Sequence, residues 1–450
     1  MNSTAAIDNR GIPPLAGVCS YARAALPGLG VEQTTVFLKR CNYVLRRLHE
    51  TAAAHLAATP EWEVKCALGL HLWLDAEHCS GLRARIAEMR EPPLGLDDVP
   101  DERLRAALEE LLRASGSAEL VTGVYRVVRP ALVRALRAHL DAMNPLFDHP
   151  THRLLRGIER EQEEMITWGA AASAALTAEP QDAAHAGAFA EHLERFLAAA
   201  GGVAGDAAPE TAELPPARWD GSDYAMDATP RRDARFADGF NCSARIDDIY
   251  ADESRPADER AYALVHKRLR EMDVPEWMAP ILFRTRGRPW EYYRELGRQL
   301  WDETRHAMMG EVALQAVGIP FYEYPIDMAA SASLNCEFTP REAHILLYDI
   351  EQGLMPRATG KRWEWTIAAL DGDPLLVALQ DYDWADEVLH AQIGRRWLRD
   401  EHGTAAERKA VAAALWERWN PALERYSRAS AQDEWWEDFL ARARASRTLA

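Results

Sequence analysis

The chain has 450 residues, of which 48% are hydrophobic, enough to bury large cores, and its length suggests two or three domains. Its formal net charge of −18 argues against nucleic acid as the partner, because a polyanionic backbone would be repelled and no basic patch compensates. No run of about 18 uninterrupted apolar residues occurs, so no membrane segment is expected. The first residues lack the charged and then apolar pattern of a secretion signal, which makes the cytoplasm the expected location.

Helical periodicity dominates from the start. Val31 to Leu56 reads as one amphipathic helix, and Thr59-Pro60 supplies an N-cap and first-turn proline for a second, reaching about Arg90. Pro92, Pro93 and Pro100 mark a loop. Helix resumes from Glu102 to Met143 with a break near Gly116, then from His152 to Leu176 and from Ala183 to Ala200. These segments are expected to form a first bundle, residues 1–200. Asp75 and His78 give it a D-x-x-H pair on a helix, with Glu50, Glu161 and Glu164 on others, but no second E-x-x-H. Scaffold is the expected role.

From residue 201 to 256 the composition turns to Gly, Pro, Asp and Ala without a helical period, which predicts an irregular linker or flap. Helices are expected again over Asp258–Met272, Pro289–Val317, Pro340–Met355, Arg362–Leu370 and Pro374–Asp400. A last one, Ala405–Ala445, carries Trp416, Trp419, Trp435 and Trp436. Thr339-Pro340 with Glu342 is a capping-box arrangement, so Glu342 is assigned to the helix end. Alternating patterns longer than four or five residues are absent. The expected fold class is all-α, with two antiparallel bundles joined by the linker.

One string is written twice in the C-terminal half. Asp302-Glu303-Thr304-Arg305-His306-Ala307-Met308-Met309-Gly310 and Asp386-Glu387-Val388-Leu389-His390-Ala391-Gln392-Ile393-Gly394 both read D-E-x-x-H-A-x-x-G. On a helix, residues three apart share a face, so each copy projects a carboxylate and an imidazole in one direction. Two such helices, with one further Glu from each of two partners, make the four-carboxylate, two-histidine set of a dinuclear metal bundle. Reflecting each motif across the preceding turn nominates Glu271 and Glu351 as the remaining ligands. Pro275 is expected to kink the chain after Glu271, which leaves Glu276 or Glu259 as alternatives. Gly310 and Gly394 put minimal bulk beside the motif and permit close helix approach. Tyr348, three residues before Glu351, faces the same way and is a candidate for a hydrogen-bonding or redox role. Trp301, Trp384, Tyr382 and Trp397 are candidates for the walls of a dry pocket.

Asp302-Glu303-Thr304-Arg305-His306 resembles the D-E-x-R-H motif of the ferritin-like superfamily, which includes bacterial multicomponent di-iron monooxygenases. The stretch from Glu351 through Gly372-Asp373 to Trp397 is similar to the C-terminal part of an uncharacterised bacterial ferritin-like family. The resemblance spans about residues 258–400. It implies two iron ions, with manganese or a mixed pair as alternatives, held by Glu271, Glu303, His306, Glu351, Glu387 and His390. It also implies that Asp302 and Asp386 orient the histidines, which fixes their tautomers and strengthens them as ligands. Arg305 belongs to that supporting set, although the second copy has Leu389 in its place. The expected activity is oxidation of a small organic substrate by dioxygen: hydroxylation, N-oxygenation or desaturation. With no Gly-rich dinucleotide fingerprint and no clustered Cys, electrons must come from a separate donor. A homodimer is left open, and the alternative is a non-catalytic metal-storage or structural protein.

Overall fold

The computed structural model describes residues 9–90, 95–207, 214–399, 403–428 and 434–447. Pro92 and Pro93 lie outside them, as do residues 208–213 of the expected linker. The regular structure of the described residues is helical, with one isolated bridge between Asn241 and Arg428 and no strand. The fold class is all-α. Among the described residues no helix is long and apolar enough to cross a membrane.

The chain divides into two compact units, residues 1–48 with 77–224, and residues 49–76 with 225–450. Helices α1 (Tyr21–Ala24), α2 (Val31–His55) and α3 (Trp62–Glu88) open the chain, and the division falls inside α2 and α3. The first unit continues with α4 (Glu102–Leu112), α5 (Gly116–Thr122), α6 (Arg129–Ala142), α7 (His149–Leu176) and α8 (Pro180–Ala199). A wide π-helical turn, Gly123–Val128, joins α5 to α6, and Pro130 sits at the start of α6 just after it. The connector that follows is irregular but anchored. Within this unit Glu110 is fully buried and accepts hydrogen bonds from the backbone N–H groups of Arg218 and Trp219, both at 2.8 Å, and pairs with His192 at 2.7 Å.

The second unit adds α9 (Ile246–Ala251), α10 (Ala257–Arg270), α11 (Asp273–Arg284), α12 (Trp290–Ala316), α13 (Ala329–Glu337), α14 (Pro340–Gly353), α15 (Lys361–Asp371), α16 (Pro374–Leu398), α17 (Ala405–Tyr426) and α18 (Trp436–Arg447). α9 lies inside the stretch that reads as irregular. α11 and α13 escape the periodicity reading: α11 carries Pro275 in its first turn and Pro280 in its interior, residues that normally end helices, and α13 is short and rich in Ala and Ser. The final run is two helices rather than one. Trp416 and Trp419 tie α17 to its neighbours by donating to Asp349 at 2.7 Å and to the Ser333 hydroxyl at 2.9 Å. α12 packs against α10, α11 and α16, α16 packs against α14 and α15, and α15 also packs against α10.

Two glycines set these approaches. A Cβ on Gly310 would stand 2.8 Å from the Leu269 nitrogen and 3.0 Å from the Val265 carbonyl, so α12 lies directly on the α10 backbone. On Gly394 it would strike the Tyr348 ring at 2.4 Å. Both are the motif glycines, and both act as spacing predicts.

Candidate metal centre

The two repeated motifs lie on α12 and α16, whose starts are fixed by prolines. Pro289 precedes α12, and α16 opens with Pro374 behind Asp373, whose carboxylate accepts from the Leu375 N–H at 2.8 Å. Glu351 sits in the last turn of α14, which begins with the full Thr339/Glu342 capping box. Glu271 is the C-cap of α10. The chain turns at Glu271–Met272 and restarts as α11, so Pro275 falls in a first helical turn instead of making a kink. That restart sends Glu276 elsewhere, to a fully buried cluster with Lys65 and Arg232. Glu259 is engaged by Arg255 and by the Trp436 indole N–H at 3.3 Å.

The six nominated residues converge, and a seventh joins them. Two groups of potential ligands form: Glu271, His306, Asp383 and Glu387, and Glu303, Glu351, Glu387 and His390. Glu387 belongs to both. Within each group one ligand atom per residue lies within 4.8 Å of every other. The His306 Nδ1 stands 3.4 Å from Glu271, 3.5 Å from Asp383 and 3.7 Å from Glu303. The His390 Nδ1 stands 3.1 Å from Glu303, 3.4 Å from Glu387 and 3.8 Å from Glu351. Both imidazoles and Asp383 are fully buried, and Glu271, the most exposed member, is 9% accessible.

This arrangement is not self-satisfied. Glu271 Oε2, Glu351 Oε2, Glu387 Oε2 and the Nδ1 atoms of His306 and His390 are buried and have no hydrogen-bond partner. Five such atoms turned toward one another are costly, since a buried polar group without a partner loses about 1–3 kcal/mol and a charged one more. Neighbouring carboxylates about 4 Å apart also repel by roughly 4 kcal/mol at an effective dielectric of 20. A cation between them removes both penalties. The donor set, carboxylate oxygens with imidazole nitrogens, suits iron, manganese or zinc.

The electrostatics carry the same message. Burial pushes Glu351 well above the usual carboxylate range, and the adjacent charges of Glu387 and Glu303 add to it. For Glu387 burial acts in the same upward direction but is overcome by Lys361, Glu351 and His390, which hold it well below. Burial alone would depress the two histidines. The bond to Asp386 and the nearby carboxylates of Glu271 and Glu303 instead raise His306, and the bond to Asp302 with the nearby carboxylates of Glu303 and Glu387 raises His390.

The outer nitrogens are held crosswise. His306 Nε2 bonds to Asp386 at 3.1 Å, and His390 Nε2 to Asp302 at 3.4 Å, so each motif's aspartate orients the other motif's histidine. Arg305 donates to both aspartates at 2.7 Å, and Arg298 donates to Asp302 at 2.9 Å. One guanidinium serving both sides accounts for Leu389 in the second copy: a second arginine there has no aspartate left to serve.

Sequence reading missed Asp383, Lys361 and Arg268. Asp383 precedes Glu387 by four, a same-face spacing that was legible. Lys361 and Arg268 were not, because a lone basic residue on a helix reads as solvated. Lys361 is fully buried, with its Nζ 2.8 Å from Glu387, 2.9 Å from Asp383 and 3.5 Å from Glu271. Arg268 is also fully buried, pairing with Asp383 and with Glu271 at 2.9 Å. Gln299 donates to Glu351 at 3.0 Å.

Tyr348 packs on Gly394 beside a surface cleft lined by Asp349, Gln352 and Arg395, and takes part in none of the cluster's ion pairs. Tyr382 is 63% exposed, which removes it from any dry wall; Trp301, Trp384 and Trp397 are half-buried, the last donating to Glu295 at 2.8 Å. In the first unit His78 is bound to Glu161 at 2.6 Å and to Gln162 at 3.3 Å. Among the described residues that unit holds no cluster of three or more metal-ligand side chains.

No family model matches the chain, and no match is found among curated proteins or solved structures.

Proposed function

We propose that this chain is a metal-dependent oxidoreductase of the ferritin-like kind, binding two divalent ions, iron first and manganese or a mixed pair as alternatives, and oxidising a small organic substrate with dioxygen. The observation that carries the reading is the pair of adjoining ligand groups sharing Glu387, with unpartnered oxygens and nitrogens turned inward. Glu271, Glu303, His306, Glu351, Asp383, Glu387 and His390 would hold the ions, Glu387 spanning both positions. When bound, such a pair supplies electrons and open coordination positions for dioxygen. Asp302 and Asp386 keep each imidazole Nδ1 inward by accepting from its Nε2–H. Arg305 holds the two aspartates in place. Both histidines are fully buried, which would keep bulk water away from ions held there. Reducing equivalents would come from a separate donor.

The same complete burial also favours a second reading, in which the ions brace helices or are stored without turnover. One experiment separates the two. The purified protein is loaded anaerobically with ferrous iron and exposed to oxygen. A transient visible absorption with substrate-dependent turnover supports the enzyme, whereas stoichiometric uptake into a ferric mineral supports storage. His390→Ala should remove about half of the bound metal or more, since an ion loses an imidazole nitrogen there; unchanged metal content removes His390 from the site.

A further inference from the structure

The two ligand groups differ in how their charge is balanced. Neither Glu303 nor Glu351 forms an ion pair with a lysine or arginine among the described residues; their charged partners are His390 and, for Glu303, His306. The other group is served by two buried basic side chains. The Lys361 Nζ lies 2.8–3.5 Å from Glu387, Asp383 and Glu271, three of its four ligands, and Arg268 engages Asp383 and Glu271. That ammonium already neutralises three of the carboxylates that a divalent ion in this group would bind.

The backbone beneath Lys361 is held in place. Lys361 is the first residue of α15, and its N–H donates to the Leu354 carbonyl at 3.0 Å. Gly360 makes that approach possible, since a Cβ there would lie 2.0 Å from the same carbonyl oxygen. Movement out of the cluster is therefore confined to the flexible four-carbon stem.

Resting on the metal-binding reading above, we infer that the two positions are unequal: Glu303, Glu351, His390 and a Glu387 oxygen take one divalent ion directly, whereas at Glu271, His306 and Asp383 the Lys361 ammonium is the resident counter-charge that a second ion must displace. Arg268 stays in either state, held also by Glu364 at 3.4 Å from α15. The bound form thus carries one metal and one ammonium until the second ion arrives. Loading in two steps follows directly.

The test uses the full chain, stripped of metal and titrated anaerobically with manganese(II), read by metal analysis and by electron paramagnetic resonance. The wild type should take a first equivalent on the order of tenfold or more tighter than the second, because a buried like charge opposes the second ion. At one equivalent it should give the spectrum of isolated ions. Lys361→Gln should bring the affinities together and give the spectrum of coupled pairs below saturation, while Lys361→Arg should keep the two steps. Two equal equivalents in the wild type, or two steps that persist in a folded Lys361→Gln, overturn the inference and leave the dinuclear reading intact. No binding by the wild type overturns both. If Lys361→Gln does not fold, the wild-type stoichiometry and line shape decide alone.

Discussion

Two regions of this molecule place a buried histidine among carboxylates and amides on packed helices, and they come to opposite ends. In the first unit the His78 ring is consumed on both sides, by Glu161 at 2.6 Å and by Gln162 at 3.3 Å, and the Gln162 oxygen accepts in turn from Arg129 at 2.7 Å. In the second unit the outer nitrogens of His306 and His390 are likewise engaged, but their inner nitrogens face carboxylate oxygens with which they make no hydrogen bond. Composition does not distinguish the two. What does is whether the polar groups close on one another or leave a shared deficit, and only the second arrangement gathers groups that could hold a metal ion.

The sharpest way to break this contrast is to remove the residue common to both ligand groups. Glu387→Ala deletes a ligand from each position and a partner of Lys361, so it should cost well over the about 10–100-fold typical of losing an orienting residue. Metal analysis after gel filtration reads this directly. Retention of both ions would show that Glu387 joins nothing.

The crosswise aspartates allow a finer cut. Asp302→Asn should weaken binding about 10–100-fold, and the loss should fall on the position of His390, its bonding partner, although Asp302 lies in the motif of His306. Asp386→Asn should fall on the position of His306. Comparing the two by manganese titration tests the exchange: losses that follow the motif instead of the hydrogen bond would undo it.

How much of this was legible follows from what a helix can encode. The three-residue spacing of Glu303 with His306 and of Glu387 with His390, and the small residues at Gly310 and Gly394, are properties of one helix face and need no knowledge of its neighbours. Glu351 and Glu271 follow only if the partner helices are antiparallel, and what separates Glu271 from Glu276 and Glu259 is the restart of the chain at Asp273, which spacing does not encode. The crossing of the aspartates depends on how α12 and α16 are rotated toward each other. Lys361 enters from the start of α15, after a tight turn at Gly360 that periodicity does not register. Relations within a helix were readable; relations between helices were not.

The smallest effect is expected where the polar groups are already satisfied. His78→Ala should leave metal content unchanged, since no ligand cluster includes it among the described residues. Its cost is confined to stability. The bond from His78 holds the Glu161 carboxyl below its ordinary value, and Glu161 is nearly half exposed, so solvent screens the pair and the loss should be about 1 kcal/mol or less. The sign with pH is fixed by that depression: the contribution is present above the ordinary carboxylate pKa of about 4.3 and disappears as pH falls through the lower folded value. Calorimetric melting of wild type and variant at neutral pH and at successively lower pH should therefore show a small gap that closes in acid. A gap that widens in acid would mean that His78 stabilises the fold through some contact other than Glu161. A fall in bound metal would mean that this region is a site after all.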